Sequence, residues 1–349
     1  MDSYRCDQCG DIMEFDAKTQ TLKCPSCGHS ITIENKQEKI REHQMSMEAR
    51  AKIRVEEKAT HTMECSGCGA RIEVDATSTA TECPFCGSKY VLAQKQEETL
   101  IPDGVLPFQI DKNQAVQQFQ RWLKSRFWAP GELKNLYQKD KIQGIYLPYW
   151  TFDSIASTDY QARGGRVHRE TVRDSDGKER VRVYTTWTTV RGHVKHAFDD
   201  HLIPASNKLD LSILEDMDNF NTKALVSYSP EYFSGYGAEC FTVSLDSAYA
   251  QAHREMADYL ERLVEQEVLT SYDRVEAVRI DPEFYQETFK HIMAPVYMTA
   301  YKYRDKLYHV LINGQTGFVR GEYPKSVAKI AVCVAVILIL VFFIFWNAS

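Results

Sequence analysis

Several chemistries are missing from this 349-residue sequence, and each absence narrows its function. No segment reads G-x-x-x-x-G-K-S/T, so the backbone cradle that holds nucleotide phosphates in helicases and ATPases is not encoded. Gly177-Lys178 falls in a turn, and Gly235-Tyr236-Gly237 lacks a third glycine and a helix start. There is no HExxH, and no nucleophile stands beside an evident base, so enzymatic activity gains no support. Neither sign of charge dominates: 42 Lys and Arg against 48 Asp and Glu leave a net −6, which gives no general reason to expect a polyanionic partner. Met1 to Gly10 is polar, so no signal peptide is expected. Cysteine is scarce outside two short modules, which hold eight of the ten and leave only Cys240 and Cys333.

Those modules share one spacing. Cys6-x2-Cys9-Gly10 is answered by Cys24-Pro25-Ser26-Cys27-Gly28, and Cys65-x2-Cys68-Gly69 by Cys83-Pro84-Phe85-Cys86-Gly87. The unit recurs 59 residues downstream. Without a secretory signal, paired C-x2-C knuckles read as metal ligands in a reducing compartment, not as a disulfide framework. A unit of about 30 residues cannot bury enough apolar surface to fold alone, and four thiolates around Zn²⁺ would supply the deficit. Two zinc ions are therefore expected, one in residues 1–33 held by Cys6, Cys9, Cys24 and Cys27, and one in residues 63–95 held by Cys65, Cys68, Cys83 and Cys86. Iron in the same sulfur tetrahedron is the competing metal.

Residues 34–62, charged and free of glycine and proline, read as a spacer; Ile40, Met47 and Ile53 would give a helix there only a sparse apolar face. An α+β body is expected over 100–323. Asn113 is the expected cap of a helix that buries Ala115, Phe119, Trp122, Leu123 and Phe127 and stops at Pro130-Gly131. Gln143 to Asp153 reads as a strand with a bulge at Pro148. Tyr160–Arg169 and Glu179–Arg191 read as a long hairpin about Asp174-Ser175-Asp176-Gly177. Asp246–Leu269 is amphipathic, and strands are expected at 275–280, 288–293, 296–303, 307–312 and 317–320. Phe108-x-Ile110-x2-Asn113-x-Ala115 matches Phe241-x-Val243-x2-Asp246-x-Ala248, and Ile145-x2-Pro148 matches Ile292-x2-Pro295. Residues 100–200 and 235–323 thus read as two copies of one unit packed as a pseudo-dimer.

Residues 327–346 form the longest apolar run. About 20 helical residues span roughly 30 Å, the hydrocarbon thickness of a bilayer. Arg320 and Lys325 precede the run and Lys329 stands in its first turn, so the positive-inside rule places the N-terminal part in the cytoplasm of a single-pass, tail-anchored protein.

Four-cysteine ribbons raise the question of nucleic acid. Residues 1–33 carry three Lys and Arg against five Asp and Glu, and residues 63–93 carry two against four. A net acidic ribbon with few aromatics does not suit a phosphate backbone. In His193–His201, strand alternation puts His196 and Phe198 on one face and His193 and Lys195 on the other. Structural histidines with turn-forming aspartates are expected there; a second metal or acid–base site of His196, Asp199, Asp200 and His201 is the rival.

The chain resembles prokaryotic membrane-anchored proteins with TFIIB-type zinc ribbons, often labelled primosomal protein N′ (replication factor Y)-like. The resemblance rests on both cysteine modules, Leu147-Pro148-Tyr149-Trp150, Gly164-Gly165, His196-x-Phe198-Asp199-Asp200 and Pro204-Ala205-Ser206. Tyr228-Ser229-Pro230-Glu231-Tyr232, Phe289-Lys290-His291 and Asn313-Gly314-Gln315-Thr316-Gly317 continue it over nearly the whole chain. It implies rubredoxin- or TFIIB-like ribbons and, through relatives linked to cell-envelope stress, SPFH-domain or PspA-like protein partners. The expectation is a non-enzymatic membrane scaffold whose ribbons project from the body and dock proteins. A membrane-tethered nucleic-acid-binding regulator and a metal-dependent enzyme are the alternatives.

Overall fold

The computed structural model describes residues 4–33, 40–50, 63–64, 71–73, 80–82, 89–91, 101–134, 142–173, 179–207, 213–214, 217, 219–304 and 306–348. The first cysteine module holds an antiparallel sheet of β1 (Glu14–Asp16), β2 (Thr21–Lys23) and β3 (Ser30–Thr32). After β4 (His43–Gln44), the second module contributes β5 (Met63–Glu64), β6 (Arg71–Glu73), β7 (Ala80–Glu82) and β8 (Lys89–Val91). The body follows with β9 (Gly104–Val105), α1 (Lys112–Ser125), β10 (Gln143–Arg173), β11 (Glu179–Pro204), β12 (Val226–Ser227) and β13 (Gly237–Glu239). It closes with α2 (Leu245–Leu269), β14 (Arg274–Tyr303), β15 (Lys306–Asn313) and β16 (Val319–Gly321), before α3 (Val327–Ala348). The class is α+β with antiparallel sheets and an apolar C-terminal helix, as the sequence implies.

The body is organised about the antiparallel pair β10 and β14, where Leu147 lies opposite Ala294. Around that point the bonding repeats with two-fold regularity. β13 runs parallel to β10 with Ile145 opposite Gly237, and β9 runs parallel to β14 with Ile292 opposite Gly104. Trp150 Nε1 donates to the carbonyl of Val243 at 3.0 Å, and Tyr297 Oη donates to that of Ile110 at 3.0 Å. The amides of Thr242 and Val243 both donate to the Ala205 carbonyl, and those of Gln109 and Ile110 both donate to the Gly314 carbonyl. Ala205 in turn donates to Pro148, and Gly314 to Pro295. The matched phenylalanine and Ile-x2-Pro motifs thus occupy corresponding places, and Ala115 and Ala248 are both fully buried.

Pro148 and Pro295 owe their tolerance to where they sit. β13 pairs with β10 at Ile145 and Tyr146, and β11 takes over from Tyr149. β9 pairs with β14 at Ile292 and Met293, and β15 takes over from Val296. Each proline stands at a handover between neighbours, where its missing N–H costs no ladder bond. The bulge expected at Pro148 lies instead at Asp153, which faces two residues of β11 and opens a second irregularity against β14. The three strands expected between 275 and 303 are one 30-residue strand, bent by bulges at which Ala277 and Gln286 take positive φ.

α1 is capped by Asp111, two residues before the expected Asn113; Asp111 and Gln114 form a reciprocal capping box. Its core face is Ala115, Val116, Phe119, Trp122 and Leu123, whereas Phe127 lies past the helix and is exposed. α2, capped by Ser244, buries Leu245, Ala248, Ala252, Met256, Leu260, Val264 and Val268 in one stripe along the sheet. Residues 40–50, read from sequence as part of a spacer, are attached to the body. β4 pairs with Phe289 and Thr288, His43 bonds Asp103 at 2.7 Å, and Arg50 Nε donates to Asp246 at 2.6 Å.

Candidate metal centre and histidine cleft

The first module brings its four cysteines together. Both knuckles close alike: the Gly10 amide donates to the Cys6 carbonyl at 2.8 Å, and that of Gly28 to Cys24 at 3.0 Å. Gly10 and Gly28 take φ of +79° and +76°, a region that a side chain would strain. The Sγ atoms of Cys6, Cys9, Cys24 and Cys27 all lie within 4.8 Å of one another, with Cys6–Cys27 at 3.5 Å and Cys9–Cys24 at 3.4 Å. Metal–sulfur bonds of about 2.3 Å in a tetrahedron place sulfurs roughly 3.8 Å apart, so the donor set fits a thiophilic metal ion. The Cys27 backbone amide, outweighing desolvation, draws the Cys24 thiol down to about 7. Among the described residues this is the one group of three or more His, Cys, Asp or Glu donors that converges so closely. Cys65, Cys68, Cys83 and Cys86 lie outside the described residues.

The expectation of a projecting ribbon fails for the first module. Met13, Phe15 and Leu22 are buried in one cluster with Phe108, Tyr146, Tyr232 and Phe233 of the body. Phe15 meets Tyr232 edge-on at 5.1 Å, and its amide donates to the Ser234 carbonyl at 2.9 Å. Gln20 Nε2 donates to the Phe108 carbonyl at 2.8 Å, and Lys18 pairs with Asp111, the cap of α1. Nothing in the spacing of the cysteines announces this; Phe15 reads equally well as the core of a free ribbon.

At Asp153 the extra residue of β11 decides how the histidines lie. Ser154 faces Phe198 and Phe152 faces His201, so Asp199 and Asp200 together oppose one residue, with Asp200 at φ +52°. One inserted residue reverses the alternation, and His201 joins His196 and Phe198 on the face toward α2. His193 stays on the other face, bonded to Asp159 at 2.7 Å. His201 Nε2 lies 3.0 Å from Glu255, and His196 and Phe198 pack against Tyr259 at 4.6 and 5.6 Å. Between them opens a cleft of about 870 Å³, also lined by Asp258 and Arg262. Desolvation would raise the Glu255 carboxyl, but hydrogen bonds from His201 and Gln251, with the charge of Arg254 nearby, together hold the group below its ordinary value. His196, Asp199, Asp200 and His201 therefore share a neighbourhood without forming a metal-binding set.

Asp200 serves a different partner. It lies 2.6 Å from the ammonium of Lys290, which is buried and also has Asp153 at 3.5 Å and Glu42 at 3.4 Å. Burial disfavours the charge, yet the Asp200 hydrogen bond and the surrounding carboxylates raise the Lys290 pKa, so it remains protonated. The next residue, His291, is fully buried against Trp150 at 4.9 Å; desolvation takes its pKa down to about 3, and the ring is neutral. Sequence offered no sign of this cluster, because Glu42, Asp153, Asp200 and Lys290 are separated by up to 248 positions.

α3 starts one residue after Ser326, whose amide donates to the Trp128 carbonyl at 2.7 Å. Its segment Val327–Trp346 is 20 residues long with mean hydropathy 3.1, and none of it is buried: long and apolar enough to cross a membrane.

Among known proteins, the chain is 28% identical over 331 residues to the uncharacterized protein YdjG of Bacillus subtilis (strain 168), which covers 94% of this chain and 92% of that protein. No family model matches the chain, and no solved structure matches it.

Proposed function

We propose that this chain is a non-enzymatic, membrane-anchored scaffold whose cytoplasmic part docks protein partners, with one zinc ion in each cysteine module. The observation that carries the reading is the outer end of the β10–β11 hairpin. β14 begins at Arg274, opposite Gly165, and beyond that point the two strands run on alone with both faces open. Val181 and Val183 are 65% and 55% exposed there. A two-stranded ribbon is marginal in water, and exposed valines on it suit a protein surface. The tail follows β16 near the other end of β14, where α1 packs on β15 and β16, so the tail and the open end of the hairpin depart from opposite ends of that strand. Arg320 and Lys325 before the span and Lys329 in its first turn favour a cytoplasmic body. The family resemblance suggests SPFH-domain or PspA-like proteins as partners.

Crosslinking in native membranes followed by pull-down tests this. Membrane proteins should be recovered with the native chain and lost with a Val181→Asp, Val183→Asp variant whose circular dichroism is unchanged. Recovery of replication components alone would overturn it. A second reading, binding to nucleic acid, draws on the same hairpin: residues 166–173 and 179–186 carry five arginines against two glutamates. It predicts DNA affinity that falls steeply with salt and weakens on Arg180→Ala, Arg182→Ala.

A further inference from the structure

The loop after α1 is locked to the first turn of α3. The Ser326 amide donates to the Trp128 carbonyl at 2.7 Å, and the Ser326 hydroxyl caps the helix by accepting from the Lys329 amide at 3.4 Å. The Lys329 ammonium turns back to donate to the carbonyls of Phe127 at 2.9 Å and Ala129 at 2.8 Å. It also lies 5.6 Å from the Phe127 ring centre. On the body side, Arg126 stacks over Trp122 at 4.9 Å and Tyr323 at 5.8 Å, and Pro324 is buried. The tail therefore emerges from a braced corner. Phe127, at the outside of that corner, is 62% exposed and packs edge-on against Trp128, at 5.1 Å.

We infer that Phe127 and Trp128 form a lipid-contacting wedge that seats the body directly on the bilayer surface. The inference rests on reading α3 as a membrane span. Residues 330–346 alone cover about 26 Å of the roughly 30 Å of hydrocarbon, so the turn holding Lys329 lies at its boundary. An ammonium at that depth needs polar partners, and here the loop supplies them as carbonyl oxygens. Because Lys329 touches the Phe127 carbonyl directly, Phe127 shares its depth, whatever tilt the helix adopts. An aromatic pair at the headgroup level is the arrangement that interfacial belts use, and Lys124 and Lys325, close by in the chain, suit anionic headgroups. The occupant of this exposed patch is thus lipid, by continuity with the span beside it.

The full chain, reconstituted in vesicles of phosphatidylcholine and phosphatidylglycerol, tests the wedge when p-benzoylphenylalanine replaces Phe127, Val336 or Val183 one at a time. On irradiation, position 127 should form lipid adducts at a yield close to that of position 336 and several-fold above that of position 183. Adducts at 336 with position 127 no higher than 183 would overturn the wedge and leave the anchor standing. An absence of adducts at 336 as well would overturn the anchor, and the wedge with it.

Discussion

The two halves of the body begin from one plan and put it to different uses. In each, a short strand runs parallel to the other half's long strand, a capped helix follows, and an Ile-x2-Pro strand crosses the centre. They diverge after the helix. α1 has 14 residues and gives way to the loop that braces the tail; α2 has 25 and runs on along the extended sheet. The first half also receives the cysteine module on its core, through Phe15, Tyr232 and Phe108. The histidine cleft opens where β11 meets α2 of the second half, and the second half's Lys290 is enclosed by Asp153 and Asp200 of the first. The shared bonds fix the geometry of the centre; the unshared lengths decide what each end can attach.

The first and largest test of that contrast removes metal. Zinc in a cysteine tetrahedron contributes on the order of 10 kcal/mol to folding of a small ribbon. Cys24→Ser should therefore abolish one bound ion and release Phe15 from Tyr232, seen as lost hydrogen-exchange protection across residues 4–33. Residues of α2 should keep their protection. Unchanged metal content in this variant would show that the four cysteines are not the site.

Next comes the buried charge. Gln143 stands where Lys290 stands in the other half, counted from the central prolines. Lys290→Ala leaves Asp200 and Asp153 without their cation and should cost about 3–5 kcal/mol in urea unfolding. Gln143→Ala should cost roughly 1 kcal/mol or less, the scale of an ordinary partly buried position. Equal losses at the two sites would remove the distinction between the halves.

A third test asks whether the shared bonds are equivalent in strength. Tyr297→Phe strips the donor from the Ile110 carbonyl and should cost about 1–3 kcal/mol. Trp150→Phe strips the matching donor from Val243 and leaves a void in addition, so its loss should be the larger. A neutral Tyr297→Phe would mean that the two-fold bonding is geometric and carries no energy.

The smallest effect is in pH. Against desolvation, Glu255 and Glu287 are each held below the ordinary 4.5 by hydrogen bonds from His201 and Gln251 and from His253 and Tyr249, with Arg254 and Arg50 nearby. A depressed carboxylate contributes stability that is present above pH 4.5 and lost as pH falls through its lowered value. Asp111, which Lys18 holds below 3.8 against desolvation, does the same for α1 in a more acid window. On acidification, α2 should therefore lose exchange protection before α1 does; the reverse order would contradict these pairings.

Much of this was legible in advance where the signal is local. The thiolate spacing, the amphipathic stripe of α2, the β10–β11 hairpin and the apolar run of α3 each follow from residues within a few turns of one another. The expected cap at Asn113 missed by two positions because Asp111 makes both halves of a capping box with Gln114. The bulge at Asp153 was misplaced to Pro148 because a proline at a neighbour handover and a proline at a bulge look alike in sequence. The cleft was half visible: alternation placed His196 and Phe198 together, but the reversal that adds His201 depends on a partner strand.

The sequence by itself determined which four cysteines of the first module converge, the helix faces and a segment apolar enough to cross a membrane, because periodicity and cysteine spacing are properties of neighbours along a chain. Only the tertiary structure decided that the first cysteine module packs into the core, that residues 43–50 belong to the body, and that Lys290 is enclosed by three carboxylates. It also decided that the tail is braced by the loop after α1. Those outcomes depend on which surfaces meet across separations of 60 to 248 positions, and a surface carries no mark of its partner until the sheet between β10 and β14 brings the two together.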